Sequence, residues 1–347
     1  MAREIDKSLA NRRTARQDED TTAFGIPPPD PELKRLEPLL GAWEAEDCTL
    51  DTFLGPGVPV RSAERFRWLD GGYFLVQHYE TSFGEEPIQT GVNYWYYDSE
   101  AERFRIIFFS NNGPFSEGGN RYEGRVADGT LGFEGPARFQ YDLDEDGTIR
   151  LNPDATISVS WWLQDDDGVW QPWMKNTFTK VDDDREAPKR PREESAMTDE
   201  PGPAHRRLSA LVGRWRTEGR TLDAPDTPSA WIDAVDTYEW LPGGFALLHS
   251  VDARVGDQQV TGAEIIGWDS ARDAYVSQYF GSDGPNAYEA SLAEEDGRLV
   301  WRMCSERDRF AGSFSEDGNT IIGGWERLDE EGKWQPWMEV RLTKAAN

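Results

Sequence analysis

The pentapeptide WQPWM occurs twice in the chain, at 170–174 and at 334–338. A repeat with two tryptophans and a proline rarely arises by chance, and further blocks match on either side of it. LEPLLGAW at 36–43 corresponds to LSALVGRW at 208–215, and WLDGGYFL corresponds to WLPGGFAL further along. The spacing between corresponding blocks changes from 172 to 164 residues, as expected when loops between shared strands differ in length. The chain is therefore predicted to contain the same fold twice.

The two copies define the predicted domain organisation. The first domain is predicted at 31–181 and the second at 203–347, with a charged, proline-containing linker at 182–202 between them. Residues 1–30, which lack periodic apolar positions, are predicted to form a disordered tail. At 347 residues the chain is long enough for two domains, each with its own core.

Each copy begins with a short helical pattern and continues with strand patterns. In PDPELKRLEPLLG the apolar residues Leu36, Leu39 and Leu40 fall on one face of a predicted helix. The sequence that follows is rich in aromatic and β-branched runs, such as RFRIIFFSN and TISVSWWLQ, separated by Asp-Gly turns. Short strands joined by tight turns indicate an antiparallel, up-and-down sheet. Closure of such a sheet removes its exposed edges, so two tandem all-β barrels are predicted, each preceded by a short helix.

One strand pattern indicates that a barrel is covered on its outside. In RFRIIFFS, alternation places Phe104, Ile106 and Phe108 on one face, and Ile107 and Phe109 on the other. Because both faces are apolar, the outer face is expected to contact another surface. That surface is either the other barrel of the same chain or a second copy of the chain in a homodimer.

Composition excludes several classes of partner. Acidic residues outnumber basic ones by 65 to 37, a formal charge of −28, so nucleic acid and anionic membranes should be repelled. No run of about 18 apolar residues is present, so no membrane span is predicted. Without an apolar N-terminal segment, a cytoplasmic location is expected. Cys48 and Cys304 occupy non-equivalent positions in the two copies and are expected to be free thiols.

The order of these motifs resembles that of the calycin superfamily, which contains the lipocalins, the fatty-acid-binding proteins and the nitrobindins. The shared features are a helix, a Gly-x-Trp start of the first strand, a Gly-Gly turn, an aromatic–Asp turn, a Tyr-Glu pair and a basic residue on the final strand. The fuller pattern is most similar to the bacterial lipocalin-like family DUF1579, and both copies carry it across residues 33–344. The resemblance implies calycin-like β-barrels that enclose a cavity for a small molecule.

The resemblance also implies a structural role for the Gly-x-Trp tryptophans. In calycins this tryptophan seals one end of the barrel against a basic residue of the last strand. By that resemblance Trp43 is expected to pack on Lys180, and Trp215 on Lys344, through cation–π contacts of about 0.5–2 kcal/mol. These four residues are therefore not candidates for a ligand site.

The histidines provide the first candidates for a functional site. His78 and His249 both follow the Gly-Gly turn of their copy, but Gln77, not His78, aligns with His249. Since side chains alternate along a strand, His78 and His249 are expected to point to opposite faces of their barrels. The candidate catalytic residues are His249, Glu264, which aligns with Asn93, and His78. An ordinary surface or core histidine is the alternative reading of both histidines.

Further candidates come from recurring polar and aromatic positions. Arg138 and Arg309 align, and they could hold an anionic head group or pair with the recurring Glu123 and Glu289 across the sheet. The side chains expected to line a ligand cavity, besides these arginines, are His249, Gln77, Asn93, Glu264, Phe108, Tyr279, Tyr122, Tyr288, Trp173 and Trp337. In each WQPWM the two tryptophans lie three residues apart, so one is expected to face inward and the other outward.

Several kinds of chemistry are not indicated. The sequence shows no metal-ligand spacing, no nucleophile elbow and no phosphate-binding loop, so no metal and no cofactor are predicted. The last strands, MKNTFTK and MEVRLTK, lack the histidine that ligates haem in nitrobindins, which argues against haem.

Two functions fit the resemblance and the residues. The first is binding of a small hydrophobic or amphipathic ligand in a barrel cavity. The second is catalysis on an apolar, terpenoid-like or polyketide-like substrate, because lipocalin-like domains also occur in hydratases, cyclases and isomerases. A third alternative is a structural pair whose barrels are filled by side chains. Whether the chain is an enzyme stays open at this point.

Overall fold

The computed structural model describes residues 28–86, 88–111, 120–182, 201–223, 228–281, 284–329 and 331–345. These residues form two closed antiparallel barrels of ten strands each, one after the other in the chain. The prediction of two tandem, all-β, up-and-down barrels is confirmed. The predicted tail at 1–30 and linker at 182–202 lie almost entirely outside the described residues.

The first barrel is a meander in which each strand pairs with the next, and the first strand pairs with the tenth to close the cylinder. Its strands are β1 Gly41–Cys48, β2 Pro59–Trp68, β3 Leu75–Phe83, β4 Gln89–Asp98, β5 Arg103–Ser110, β6 Asn120–Ala127, β7 Thr130–Glu134, β8 Arg138–Asp142, β9 Thr156–Gln164 and β10 Trp170–Val181.

The second barrel repeats this topology and closes through the pairing of its first and last strands. Its strands are β11 Gly213–Thr221, β12 Trp231–Trp240, β13 Ala246–Val255, β14 Gln258–Asp269, β15 Ala274–Gly281, β16 Gly284–Glu295, β17 Arg298–Cys304, β18 Asp308–Phe314, β19 Thr320–Leu328 and β20 Trp334–Lys344. Inward and outward side chains alternate along the strands, which is the pattern that the sequence shows.

Asp-Gly pairs form tight turns at corresponding places in the two barrels. Asp128 and Gly129 have φ angles of 49° and 72°, and Asp296 and Gly297 have φ angles of 50° and 76°. Positive φ at both central residues is typical of a type I′ turn, whose twist matches that of the paired strands. These turns join β6 to β7 and β16 to β17.

A 3₁₀ helix, Pro31–Leu39, packs its apolar side against the core at one end of the first barrel. The buried positions are Leu33, Leu36 and Leu39, a spacing that matches the three residues per turn of this helix type. The sequence pattern also placed Leu40 on this face, but Leu40 lies beyond the end of the helix and is only partly buried. In the second barrel a short α-helix, Pro203–Arg207, takes the corresponding place.

The Gly-x-Trp tryptophans lie at the helix-covered end of each barrel. Trp43 and Trp215 are 2% and 0% exposed, and each indole donates a hydrogen bond to the carbonyl four residues earlier, at 2.6 and 2.7 Å. Lys180 Nζ lies 5.3 Å from the ring centre of Trp43, and Lys344 Nζ lies 5.1 Å from that of Trp215. The expected cation–π contacts are confirmed in both barrels.

The two barrels contact each other through an apolar cluster on their outer walls. This interface cluster consists of Phe74, Val76, Val92, Tyr94, Ile107 and Phe109 from the first barrel and Ala246, Ala263, Ile265, Val276 and Phe280 from the second. Phe280 stacks on Tyr94 with ring centres 3.9 Å apart, and it meets Phe74 edge-on at 5.5 Å. The outward face of RFRIIFFS is therefore covered by the second barrel.

Candidate functional site

The inner wall of the second barrel carries a polar group in otherwise apolar surroundings. Alternation along β12 makes Asp236 point inward together with its neighbours Ala234 and Tyr238. His249 faces Glu264 directly across the β13–β14 pair. Three neighbouring strands thus bring three ionisable side chains to one patch of the wall, and two of them, His249 and Glu264, are residues predicted from the sequence.

His249 is held between two carboxylates. Its Nε2 lies 2.8 Å from Asp236 Oδ1, and its Nδ1 lies 2.9 Å from Glu264 Oε2. Thr217 Oγ1 is hydrogen-bonded to the second oxygen of Asp236, and Ser277 Oγ donates to the second oxygen of Glu264 at 2.6 Å. All five side chains are buried, His249 being the most exposed at 9%. We call these five residues the His249 cluster; it is a closed network in which each side chain has a partner.

The two carboxylates hold a proton on the imidazole. Burial by itself lowers the pKa of His249, but the hydrogen bonds and negative charges of Asp236 and Glu264 outweigh burial and raise this pKa to about 9. The imidazole ring also stacks on Tyr238, with ring centres 4.0 Å apart and planes 6° from parallel. At neutral pH the cluster therefore contains an imidazolium fixed between two acceptors, with both N–H groups already used.

The first barrel has a different set of residues at the corresponding positions. Glu64, Gln77 and Asn93 follow the same strand register as the three ionisable residues of the His249 cluster. Gln77 Nε2 donates to Glu64 at 2.9 Å, and Gln77 Oε1 accepts from Asn93 at 2.7 Å and from the indole of Trp95 at 3.0 Å. We call these four residues the Glu64 cluster. The structure thus brings together Gln77 and Asn93, both predicted from the sequence.

Glu64 is the ionisable member of this group. Burial raises the pKa of Glu64 to about 7, and the hydrogen bond from Gln77 opposes only part of that rise. The carboxyl group therefore changes its protonation state near neutral pH, inside the barrel.

Three polar atoms on the inner wall of the first barrel have no hydrogen-bond partner among the described residues. They are Asn93 Oδ1, Trp161 Nε1 and Asn176 Nδ2. Trp161 and Asn176 lie on the paired strands β9 and β10, and Asn176 is 2% exposed. Buried polar groups nearly always have a partner in folded proteins, so these three atoms, on β4, β9 and β10, are candidates for hydrogen bonds to a bound molecule.

Aromatic rings form much of the inner wall beside the Glu64 cluster. Phe108 stacks with Tyr79 at 6.2 Å and meets Tyr122 edge-on at 6.3 Å. All three rings keep part of their surface exposed although they face inward, whereas Leu75, near the helix-covered end, is 0% exposed. The interior is thus accessible from the end opposite the helix. Phe108 and Tyr122 are among the residues predicted to line a cavity.

The predicted aromatic residues of the second barrel also lie on its inner wall. Tyr279 pairs with Glu264 across β14 and β15 and covers two glycines: a Cβ at Gly262 or Gly281 would come within 2.8 or 2.1 Å of the Tyr279 side chain. Tyr288 packs edge-on against Trp325 at 5.8 Å. The ring of Tyr279 therefore occupies space that side chains at positions 262 and 281 would block.

The aligned arginines meet the first tryptophan of each WQPWM. The guanidinium of Arg138 lies 4.7 Å from the ring centre of Trp170, and that of Arg309 lies 4.6 Å from Trp334. Each arginine also pairs with a glutamate, while Glu123, considered as a partner from the sequence, pairs with other arginines. The repeated Arg–Trp contact accounts for part of the repeated motif.

The second tryptophans of the two motifs have different surroundings. Trp173 stacks on Phe83 with ring centres 5.4 Å apart. Trp337 lies beneath the guanidinium of Arg327 at 4.2 Å. A strand irregularity between Pro172 and Met174 accommodates the proline in β10.

His78 lies on the outer wall of the first barrel and not with the Glu64 cluster. Its neighbour Gln77 points inward, so alternation turns His78 outward, where its side chain is exposed. His78 and His249 thus face opposite sides of their barrels, as the alignment indicates.

Asp236 and Glu64 were not among the residues predicted from the sequence. The signal for Asp236 is its position within IDAVDTYEW, where the inward series Ile232, Ala234, Tyr238 is interrupted by an acid. Glu64 interrupts the equivalent series in the first copy. An acidic residue on the inward register of an amphipathic strand is therefore the pattern that identifies both.

The described part of the chain also bears on metal binding, membrane spans and the cysteines. Within those residues no group of three His, Cys, Asp or Glu side chains is arranged to hold a metal ion. No helix among them is long and apolar enough to cross a membrane. Cys48 and Cys304 are exposed free thiols, as expected.

The fold and its inner polar clusters define a tandem β-barrel protein with two non-identical interiors. A family model described as "Protein of unknown function (DUF1579)" matches residues 28–180 and 200–301. Because this match covers well over half of the chain and includes both copies, the chain belongs to the DUF1579 family. No curated protein matches the chain.

Solved structures show weaker similarity. The S-type phycobiliprotein lyase CPES from Guillardia theta is 10% identical with a TM-score of 0.31, over 42% of this chain and 93% of the lyase. A DUF3598 protein of unknown function from Nostoc punctiforme is 12% identical with a TM-score of 0.25, over 91% and 100%. Kievitone hydratase from Nectria haematococca is 10% identical with a TM-score of 0.17, over 95% and 97%. At these values the similarities carry no argument about function.

Proposed function

We propose that the protein binds a small hydrophobic or amphipathic molecule inside its first barrel. The observation that carries this proposal is the set of unpartnered polar atoms on Asn93, Trp161 and Asn176, which face the same interior as the ionisable Glu64. Two of these atoms are donors and one is an acceptor, so a ligand that carries both hydrogen-bond donors and acceptors, such as hydroxyl or amide groups, matches them.

The surrounding wall supports the same proposal. Phe133 and Phe139 fill the interior next to Trp95 of the Glu64 cluster; the ring centre of Phe133 lies 5.1 Å from that of Trp95 and 4.9 Å from that of Phe139. The partly exposed rings of Tyr79 and Phe108 lie towards the open end. A mostly aromatic wall with a few polar groups is typical of a small-molecule site. The ligand is thus expected near the open end and not throughout the barrel.

Glu64 makes the preference for ligand charge depend on pH. Its pKa of about 7 means that the carboxyl is neutral and able to donate below that pH, and ionised and only an acceptor above it. A ligand that donates to Glu64 should therefore bind more tightly above neutral pH. A ligand that presents an anionic oxygen to Glu64 should bind more tightly below it.

Binding can be tested with Nile red, a neutral dye whose emission increases in apolar surroundings. Phe108→Trp adds bulk to the proposed site, and Tyr279→Trp makes the matched change in the second barrel. We expect Phe108→Trp to weaken dye binding by about 10-fold or more and Tyr279→Trp by less than about 2-fold. Tyr79→Trp provides a second blocking variant if Phe108→Trp does not fold.

The same variants can be used with the natural ligand. Native mass spectrometry of gently purified protein should detect a small molecule that is absent from Phe108→Trp and present in Tyr279→Trp. Equal dye binding by all of these variants, with no small molecule retained, would contradict the proposal and favour barrels filled by side chains.

A second candidate function, acid–base catalysis, is favoured by the His249 cluster. An imidazole beside carboxylates inside a barrel resembles the acid–base groups of enzymes that add or remove water. However, both N–H groups of His249 are already bonded, so a substrate would have to displace Asp236 or Glu264. Binding is for this reason the better supported function.

Catalysis can be tested with a panel of unsaturated and hydroxylated terpenoid-like compounds, using mass spectrometry to detect gain or loss of water. If turnover is found, His249→Gln should reduce it about 100-fold or more while leaving Nile red binding unchanged. Turnover that survives both His249→Gln and Glu264→Gln would rule out this cluster as its origin.

A further inference from the structure

The two barrels differ in what balances the acid on their second inner strand. Glu64 pairs with the Gly-x-Trp tryptophan across β1 and β2, and Asp236 pairs with the corresponding tryptophan across β11 and β12, so the two acids occupy equivalent places. In the second barrel Asp236 lies 2.8 Å from the imidazolium of His249. In the first barrel Gln77 takes the position of His249 and offers a neutral amide instead. Glu64 therefore occupies the place of an ion-paired acid without the cation.

The first barrel supplies no replacement for that cation within the described residues. Burial raises the pKa of Glu64 and the hydrogen bond from Gln77 lowers it, and neither influence is a positive charge. The arginines of β2 lie on the alternate register and therefore point outward. Lys180 is exposed at the helix-covered end, 5.3 Å from the ring centre of Trp43. A cation that pairs with Glu64 would thus have to come from a bound molecule.

Glu64 lies beside the part of the interior that stays accessible. Its direct partner across β2 and β3 is Tyr79, one of three inward-facing rings that keep part of their surface exposed. The other two are Phe108, 6.2 Å from Tyr79 between ring centres, and Tyr122, 6.3 Å from Phe108. Aromatic rings attract cations through their π electrons. A cation in this space would therefore meet aromatic rings as well as a carboxylate.

A second acceptor lies next to Gln77. The indole N–H of Trp95 can only donate, so the Gln77 atom 3.0 Å away from it is the carbonyl oxygen. Asn93 donates to the same oxygen at 2.7 Å, which leaves its own Oδ1 without a partner among the described residues. The amide nitrogen of Gln77 donates to Glu64 at 2.9 Å. The two ends of the Gln77 amide thus hold a carboxylate and an amide group with a free oxygen, and both match the N–H donors of an ammonium group.

The open end of the first barrel is both acidic and apolar. Four of the turns at this end together carry six acidic residues and no lysine or arginine, and they span 49–58, 84–88, 135–137 and 165–169. Leu50, Phe53 and Leu54, in the first of these turns, are 50%, 49% and 65% exposed. An entrance of this composition attracts an amphipathic cation and repels an anion.

We propose that the first barrel binds an amphipathic organic amine, whose ammonium group is held by Glu64 and Asn93 beside Tyr79. This ligand preference rests on the binding function proposed above and narrows it to cationic molecules. The ammonium group donates to the carboxylate and to Asn93 Oδ1, and the hydrocarbon body extends along Phe108 towards the open end. The bound molecule supplies the positive charge that His249 supplies in the second barrel.

Binding of the amine is coupled to ionisation of Glu64. Burial raises the pKa of Glu64 to about 7 in the free protein. A bound ammonium group stabilises the carboxylate and lowers this pKa, so affinity increases as the pH rises and becomes constant above about pH 8. A simple alkylamine stays charged over this range, because its pKa, like that of lysine, is about 10.

Other ionisable side chains share the inner face with Glu64. Among the described residues, those on the inward register of the first barrel are Asp47, Tyr79, Tyr97, Tyr122, Tyr141 and Lys180. Burial raises the pKa of all four tyrosines, so they stay neutral up to about pH 8. Asp47 accepts a hydrogen bond from the backbone N–H of Thr177 at 3.0 Å. Glu64 is therefore the group whose ionisation the amine should follow near neutral pH.

Decylamine is a suitable probe, with decan-1-ol and decanoate as the neutral and anionic compounds of the same chain length. Each affinity is measured by displacement of Nile red from the full-length protein. At pH 8 we expect decylamine to bind at least about 10-fold more tightly than decan-1-ol, and decanoate to bind more weakly than either. Between pH 8 and pH 6 the affinity for decylamine should fall by up to about 10-fold, and that for decan-1-ol should change less.

Substitutions then locate the ammonium group. Glu64→Gln keeps the shape of the side chain and removes its charge, so it should weaken decylamine binding at least about 10-fold more than decan-1-ol binding and remove the pH dependence. Glu46→Gln is the matched control, because it removes the same charge from a side chain that is 79% exposed, and it should change affinity by less than about 2-fold. Gln77→His places an imidazole beside Glu64, as in the second barrel, and should also remove the preference for decylamine.

Different results would overturn the ligand class and the binding function. If Nile red does not bind, or if Phe108→Trp does not weaken its binding, the binding function fails and the amine site fails with it. If Nile red binds as expected but decylamine binds no more tightly than decan-1-ol, only the ligand class is overturned. Equal weakening of decylamine binding by Glu64→Gln and Glu46→Gln would also overturn it, because long-range charge and not contact with Glu64 would then determine affinity.

Discussion

Replacement of His249 by glutamine, the residue of the first barrel at this position, isolates the contribution of the imidazolium to stability. The pKa of His249 is about 9 in the folded protein, against an ordinary value of 6.5. The folded state therefore holds this proton more tightly than the unfolded chain does. It follows that the stabilisation is fully present below pH 6.5 and is lost as the pH rises through about 9.

The magnitude follows from the difference between the two pKa values. Each tenfold difference in proton affinity corresponds to about 1.4 kcal/mol, so a rise from 6.5 to about 9 corresponds to about 3 kcal/mol. Asp236, His249 and Glu264 are 4% to 9% exposed, so salt should screen little of this contribution. The difference in unfolding free energy between the wild type and His249→Gln should therefore shrink by about 3 kcal/mol between about pH 6 and pH 10.

The assay is urea unfolding followed by tryptophan fluorescence at several pH values, combined with an NMR titration of the His249 ring. His78→Gln is the matched control, because it makes the same chemical change at an exposed position on the outer wall. The pKa of His78 is lowered to about 4, so the effect of His78→Gln should change with pH only until the pH has passed 6.5 and should be constant above about pH 7.5, where that of His249→Gln still changes. Two results would contradict this prediction. One is a difference in unfolding free energy between the wild type and His249→Gln that stays constant with pH, and the other is a measured pKa for His249 below its ordinary value.

Three other substitutions probe the remaining parts of the structure. Glu64→Gln should raise the unfolding free energy by up to about 3 kcal/mol above pH 7 and change it little near pH 4. The reason is that the folded wild type must ionise a carboxyl group whose pKa is raised from 4.5 to about 7, which costs stability as the pH rises through that range. Urea unfolding at both pH values checks this. Phe280→Ala should cost about 3–5 kcal/mol and separate the unfolding of the two barrels, because Phe280 is 0% exposed and stacks on Tyr94; calorimetry would show one transition becoming two. Lys344→Met should cost about 0.5–2 kcal/mol by removing the cation over Trp215, seen as a lower Tm, and no change in Tm would argue against that contact.

The duplication, the strand-rich meander and the closure of each barrel are predictable from the amino-acid sequence. These features depend on local signals: alternation along a strand, Asp-Gly turns such as Asp128-Gly129, and a tryptophan placed to cover the barrel end. Alternation also predicted that His78 and His249 point to opposite faces of their barrels, because successive side chains along a strand alternate between its two faces. The pairing of His249 with Glu264 could be predicted from the sequence because a short turn joins their strands.

Contacts between side chains that are distant in the sequence depend on how the barrels close and dock. Trp161 and Asn176 face the same interior as Asn93 because the last strands return to pair with the first, and that closure involves segments far apart in the chain. The interface cluster around Phe280 forms because the second barrel docks on an outer wall of the first, which no pattern within one strand specifies. The sequence does not predict the protonation states of His249 and Glu64 either. A pKa inside a barrel depends on burial and on charges brought in from neighbouring strands, and both are properties of the assembled fold.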